Sequence, residues 1–166
     1  MIYKQGDAEL VYGQFRNSLP PPVKDHVFAA TKWCVFGPIG RPVTNTWVLE
    51  AVKERCRRLG GRVELLQFHW YDVSDRLVKV YIHNERAFSN VPPYPYMQYS
   101  AKEYLDILAE LISITKTHPE LVSTIGLCNF DSAHVQEACD YLIEKNGAVG
   151  LVSNQIQVLI IRTTIP

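Results

Sequence analysis

The stretch ELLQFHW (64–70) decides the fold class of this chain. Its residues suit a strand that is buried on both faces of a sheet, and the strand ends on a histidine followed by a tryptophan. An isolated histidine in such a place is more often a core residue bonded to a neighbour than a functional group. The role of His69 must therefore be inferred from the surrounding sequence.

Three further apolar runs are similar to this strand, and amphipathic segments separate the four. The other predicted strands lie within 26–33, 121–130 and 148–161. Apolar residues at helical spacing predict helices within 43–61, 100–119 and 131–147. The apolar stripe of the third helix includes Cys139 and Ile143. This alternation indicates β-α-β units and one parallel sheet. No glycine-rich phosphate-binding fingerprint follows a strand, which argues against a dinucleotide-binding doubly wound sheet.

The composition is that of an ordinary globular domain. The chain has 166 residues, of which 47% are hydrophobic and 20% charged, which is enough for one domain with its own core. Its 17 basic residues balance 17 acidic ones, so nothing favours nucleic acid or an anionic membrane as a partner. The four cysteines lack metal-ligand spacing and are expected to be reduced, mostly buried thiols. With no signal sequence and no apolar run of about 18 residues, we expect a cytoplasmic protein.

Polar residues gather at the carboxyl ends of the predicted strands, namely Lys32, His69, Asn129 and Ser153 through Gln155. In a (β/α)8 barrel the catalytic groups lie at the carboxyl ends of the strands. Alternation along the strands places Lys32 and His69 side by side at the mouth of such a barrel. A closed barrel needs eight strands and typically about 250 residues. The sequence therefore predicts an α/β fold, a partial (β/α)8 TIM barrel of about four parallel strands, in one incomplete domain spanning 1–166.

Taken together, these stretches resemble the aldo/keto reductase family. The matching motifs are TKWCVFGP (31–38), ELLQFHW (64–70), IGLCNF (125–130) and SNQIQ (153–157), which correspond to the third to sixth strands of the family's barrel. DAELVYGQFR (7–16) is similar to the helix that precedes the third strand. The resemblance covers about 7–74 and 101–157, which is only the middle of the family's barrel.

The resemblance implies that a hydride passes from NADPH to the carbonyl of a small-molecule substrate while a tyrosine donates the proton. Lys32 matches the lysine that lowers the pKa of that tyrosine, and His69 matches the histidine that orients the carbonyl. The pair that holds the nicotinamide carboxamide falls on Cys128 and Asn129, and Gln155 matches a third contact to that group. Cys128 departs from the family's serine, because a thiol is a weak hydrogen-bond donor.

Three departures from the family pattern predict impaired activity. The family's tyrosine aligns with Gln5, Tyr3 could replace it only with a two-residue shift, and the aspartate would fall before Met1. The seventh and eighth strands, which carry most of the cofactor contacts in the family, have no counterpart. An irregular insertion at 76–100 and a divergent tail at 158–166 leave the pattern. We expect a truncated or misspliced reductase that is weakly active or inactive, with impaired NADP binding; a genuine insertion is the alternative for the first of these segments.

Two other functions compete with an NADP-dependent oxidoreductase. The first is a non-catalytic reductase remnant or binding protein, which would neither bind NADPH nor use it. The second treats Lys32 as the Schiff-base lysine of a barrel aldolase, although an aldolase does not need the amides of Asn129 and Gln155. Nothing indicates a metal. Open sheet edges in a partial barrel also predict self-association.

Overall fold

A computed structural model describes residues 7–35, 39–69 and 101–156. The elements in chain order are α1 (Asp7–Ser18), α2 (Pro21–Lys24), β1 (Ala30–Cys34), α3 (Asn45–Arg58), β2 (Val63–His69), α4 (Ala101–Thr117), β3 (Val122–Cys128), α5 (Ser132–Asn146) and β4 (Leu151–Gln155). In these ranges, no helix has the length and apolar character needed to cross a membrane.

The four strands form one parallel sheet in the order β1-β2-β3-β4. Consecutive strands are neighbours, and α3, α4 and α5 each lie in one of the three connections between them. Parallel strands linked in this way are the repeating units of a (β/α)8 barrel. The predicted α/β class with four parallel strands is therefore confirmed, and the arrangement is consistent with a partial TIM barrel.

The core lies between the sheet and its helices. Leu66 and Phe68 of β2 and Ile125 and Leu127 of β3 alternate with the inner-face residues and are at most 1% exposed. Helix α4 contributes the largest share of the core with Tyr104, Leu105, Ile107, Leu108, Leu111, Ile112 and Ile114. Each fully buried aliphatic side chain stabilises the fold by roughly 1.5–3 kcal/mol. This layer fixes the strands, and their opposite face carries apolar residues such as Val63 as well as polar ones such as His69.

Local signals define α3 as the sequence predicts. The hydroxyl oxygen of Thr44 accepts a hydrogen bond from the backbone N–H of Trp47 at 3.3 Å, which satisfies one of the amide groups left unpaired at a helix start. Val48 and Val52 are fully buried. The helix stops before Gly60, whose φ of 69° lies in the left-handed region that favours glycine.

Helix α1 is held against the start of the sheet by a partly buried ion pair. Nη2 of Arg16 lies 3.0 Å from Oε1 of Glu64 on β2, and the guanidinium also donates to the backbone carbonyl of Arg62. The second oxygen of Glu64 accepts the backbone N–H of Ala29. One carboxylate therefore connects α1, the residue before β1 and β2, and so fixes the position of β1 in the sheet.

The prediction of a buried strand over 26–33 was wrong at its start. The backbone N–H groups of His26 and Val27 donate to the carbonyls of Val23 and Lys24, so these residues belong to the turn that follows α2 rather than to a sheet ladder. Phe28 is 75% exposed. The short helix α2, which begins in a run of prolines, was not predicted.

The apolar stripe predicted for α5 was also partly wrong. Ala138 and Leu142 are fully buried, whereas Ile143 is 53% exposed and Cys139 is only half-buried. The strand predicted from residue 148 begins at Leu151, after a glycine with φ of 68° at position 150. The predicted insertion at 76–100 and tail at 158–166 lie outside the described residues.

Candidate functional site

The carboxyl ends of the strands bring a row of side chains to one edge of the sheet. The register pairs Cys34 with His69, His69 with Cys128, and Cys128 with Gln155. Register partners on neighbouring parallel strands point to the same face, so these four side chains form what we call the strand-end row. Cys34 is a member that the sequence reasoning did not select.

Lys32 lies on the same face of β1, one level below the strand-end row. Its register partner is Gln67, two residues before His69, and its side chain is exposed. The ammonium is close enough to His69 to lower the pKa of the imidazole by electrostatic repulsion. In the part of the chain that the structure describes, Lys32 forms no ion pair with a carboxylate. The structure thus places Lys32 and His69 close together on neighbouring strands.

His69 is half-buried at the end of β2. Burial is the main cause that lowers its pKa below 6.5, and Lys32 is the second. Its Nε2 lies 3.4 Å from Nδ2 of Asn129. Because the lowered pKa keeps the ring neutral near pH 7, the imidazole offers one N–H donor and one acceptor nitrogen.

Two thiols flank His69 in the strand-end row. Burial raises the pKa of the Cys34 thiol to about 11, with a further increase from Cys128. Burial also raises the pKa of Cys128, although the charge of Lys32 opposes this. Both thiols are therefore protonated at neutral pH and are not activated nucleophiles. As a neutral thiol, Cys128 can act only as a weak hydrogen-bond donor.

Asn129 follows β3 in a left-handed conformation with φ of 61°. Asparagine adopts this conformation more readily than most residues. Its backbone N–H donates to the carbonyl of Gln155 at 2.8 Å, and both side chains are exposed. This bond holds the ends of β3 and β4 together, and the side-chain amide of Asn129 lies beside His69.

Two residues, Asn154 and Gly126, support the site in ways that sequence reasoning did not predict. Asn154 holds the backbone of Phe130, because its Oδ1 accepts the Phe130 N–H at 3.4 Å and its Nδ2 donates to the Phe130 carbonyl at 2.8 Å. Gly126 makes room for β4, since a Cβ at this position would lie 2.4 Å from Oγ of Ser153. Both roles depend on a neighbouring strand, so neither residue has a local sequence signal.

The described residues offer the site no metal centre. Among 7–35, 39–69 and 101–156, no group of three or more His, Cys, Asp or Glu residues is arranged to hold a metal ion. The two candidates for the family's tyrosine position, Gln5 and Tyr3, lie outside these ranges.

Comparison with known proteins supports the resemblance noted in the sequence. A search of curated proteins found no match. The aldo/keto reductase family, in contrast, matches residues 1–165 of the 166-residue chain. The recognition based on the strand motifs is thereby confirmed, and the parallel sheet with its helices agrees with it. The chain belongs to the aldo/keto reductase family.

Proposed function

We propose that this protein is an NADP-dependent oxidoreductase that reduces the carbonyl of a small molecule by hydride transfer. The observation that carries the proposal is the meeting of Lys32, His69, Asn129 and Gln155 at the carboxyl edge of one parallel sheet. In barrel enzymes this edge is where catalytic groups lie. Family membership supplies the reaction type.

His69 is suited to orient a carbonyl because its ring is neutral. Burial and the nearby ammonium lower its pKa, so near pH 7 one ring nitrogen carries a hydrogen that can be donated to the substrate oxygen. A donor that is already in place stabilises negative charge as it develops on that oxygen. A protonated imidazole would instead add a second positive charge beside Lys32.

Lys32 is the one lysine or arginine in the described strands, so its ammonium is their source of positive charge at this site. An ammonium near the reacting oxygen stabilises the developing alkoxide and lowers the pKa of a neighbouring acid. In the family this acid is a tyrosine, whose position falls on Gln5 in this chain. Loss of a positioned proton donor costs roughly 10²–10⁴ in rate. We therefore propose weak reductase activity.

Asn129 and two members of the strand-end row, Cys128 and Gln155, fit one part of the cofactor, the nicotinamide carboxamide. Asn129 and Gln155 are exposed amides joined through a backbone hydrogen bond of 2.8 Å, and each offers both a donor and an acceptor. Cys128 is 4% exposed and adds a weak donor. When bound, the dihydronicotinamide supplies the hydride. The chain's own residues orient the ring and the carbonyl.

The test separates cofactor binding from reduction. NADPH binding is measured by calorimetry, and NADPH consumption is followed with an aromatic aldehyde in the wild type, Lys32→Met and His69→Gln. We expect both variants to bind NADPH with little change and to lose most of the carbonyl reduction. Lys24→Met, which removes a lysine bonded to Asn17 away from the site, is the matched control.

The alternative functions predict different results. A non-catalytic remnant or binding protein shows neither NADPH binding nor NADPH consumption. A wild-type rate that Lys32→Met and His69→Gln leave unchanged would remove these residues from the reaction. A carbonyl compound trapped on Lys32 by borohydride would instead favour the Schiff-base chemistry of an aldolase.

A further inference from the structure

An apolar flank of α1 lies beside the start of β1. Ala8, Tyr12 and Phe15 follow helical spacing and form one stripe, which we call the α1 flank. The ring centroids of Tyr12 and Phe15 are 6.3 Å apart, and Phe15 is 54% exposed. The Tyr12 hydroxyl donates to the backbone carbonyl of Phe28 at 3.0 Å. This bond places the α1 flank next to the chain that enters β1.

The α1 flank points away from α3. Gly13 marks the side of α1 that meets α3, since a Cβ there would lie 2.1 Å from the backbone carbonyl oxygen of Arg58. Helix geometry puts the α1 flank roughly 100–160° around the helix axis from Gly13. Because α3 connects β1 to β2, the side of α1 away from α3 is the side of the β1 edge that no described strand pairs with. The α1 flank is therefore exposed over an unpaired strand edge.

The opposite edge of the sheet, at β4, is also suited to pairing. In the described part of the chain β4 pairs with β3 alone. The strand contains neither a charged residue nor a proline, the residues that commonly protect a sheet edge. Val152 is 58% exposed, and Ile156, directly after the strand, is 61% exposed. Both backbone and apolar surface of this edge are thus open to a further strand.

The two edges match in direction and in number of elements. The strands are all parallel, so β4 of one copy can continue the sheet of another copy at β1 without a change of direction. Helices α3, α4 and α5 each connect two neighbouring strands, and the α1 flank lies where a junction between β4 and β1 would need its helix. Two copies, each with four strands and four long helices among the described residues, supply the eight of each that close a (β/α)8 barrel.

We propose that two copies of this chain close one (β/α)8 barrel about a two-fold axis, with β4 of each copy paired in parallel with β1 of the other. The β4 strand of the second copy then packs under the α1 flank and covers Phe15. Pairing of unlike edges forms either a closed ring or an open filament, and eight tilted strands close. Closure places the strand ends of the second copy across the barrel mouth from the strand-end row. The assembly does not rest on the proposed function.

Sedimentation equilibrium of the full chain tests the stoichiometry and both edges. We expect a mass of twice 19.0 kDa and no growth beyond the dimer as the concentration rises. Phe15→Glu on the α1 flank and Val152→Lys on β4 each alter both contacts of the dimer, so each should raise its dissociation constant about 10- to 100-fold. Gln14→Glu is the matched control, because Gln14 is exposed on the same helix but lies outside the α1 flank, and it should leave the dissociation constant unchanged.

A mixture of the two variants identifies which edges pair. A dimer of Phe15→Glu with Val152→Lys keeps one unaltered contact and brings opposite charges together at the other, so dimers should return at concentrations where each variant alone is monomeric. Pairing of like edges, β1 with β1 or β4 with β4, predicts instead that only one of the variants dissociates. Ala8→Glu, on the same flank, takes the place of Phe15→Glu if that variant does not fold. A monomeric wild type, growth beyond the dimer, dissociation of one variant only, or a mixture that stays monomeric overturns the inference.

Discussion

At the scale of single residues, the stability of the fold depends on the protonation of His69, and the charge of Lys32 influences that protonation. Burial and then Lys32 lower the His69 pKa, so the unfolded chain binds a proton more readily than the folded one near pH 6.5. The contribution of His69 to stability is therefore complete above about pH 6.5 and is lost as the pH falls below it. In Lys32→Met we expect the pKa to rise but to stay below 6.5, because burial remains.

NMR titration of the imidazole protons, with His69 assigned through His69→Gln, checks this expectation. Lys24→Met serves as the control, since Lys24 binds Asn17 at 2.8 Å on another part of the surface. A His69 pKa that does not respond to Lys32→Met would show that the ammonium lies too far away to act on the site.

Asn129 allows its backbone role to be separated from its amide role. At φ of 61°, an alanine side chain is strained by roughly 1–2 kcal/mol, whereas glycine is not. Asn129→Gly and Asn129→Ala both remove the amide beside His69, so both should weaken NADPH binding to the same degree. We expect Asn129→Ala to be about 1 kcal/mol less stable than Asn129→Gly in urea unfolding. Equal stabilities would mean that the left-handed conformation does not persist in solution.

At the scale of elements, the contact between α1 and α3 depends on a glycine. A Cβ at Gly13 would lie 2.1 Å from the backbone carbonyl oxygen of Arg58, so the two helices would have to separate. We expect Gly13→Ala to lower the free energy of unfolding by about 1–3 kcal/mol through overpacking. Gln14→Ala, an exposed position on the same helix, should stay within about 0.5 kcal/mol of the wild type. Chemical denaturation measures the change in the free energy of unfolding for both variants. Equal changes would show that α1 does not pack closely against α3.

The sequence predicts the elements whose signals are local. Helix α3 was predicted within 43–61 from apolar residues at helical spacing, which are neighbours in the chain, and the structure gives it as Asn45–Arg58. Phe28 was misplaced because the turn before β1 is set by hydrogen bonds from the backbone N–H groups of His26 and Val27 to carbonyls of α2. An apolar run does not encode these bonds.

The positions of the site residues could likewise be predicted only where a local sequence pattern defines them. His69 and Gln155 could be placed at strand ends because strands alternate and parallel strands end at one edge. Lys32 was predicted at the end of its strand but lies two residues before the end of β1. The supporting role of Asn154 depends on a contact to Phe130, 24 residues away, and pattern alone does not reveal a contact between strands. Motifs therefore locate a site more readily than they identify the residues that hold it.

At the scale of the whole molecule, the sheet has two edges that the described residues leave unpaired. β1 pairs only with β2 and β4 pairs only with β3 in this part of the chain. Such edges present rows of backbone donors and acceptors that attract other strands. Beside them, Phe28 is 75% exposed and Val152 is 58% exposed. These features support the prediction that the protein self-associates.

Sedimentation velocity over a range of protein concentrations tests this prediction, with larger species expected as the concentration rises. Val152→Lys should shift the distribution towards the monomer, because a lysine on an edge strand disfavours pairing with another chain. Val23→Lys is the matched control, since Val23 is 47% exposed on α2 and lies outside the sheet. A monomer at every concentration, with one sharp two-state unfolding transition, would show that both edges are covered within a single chain.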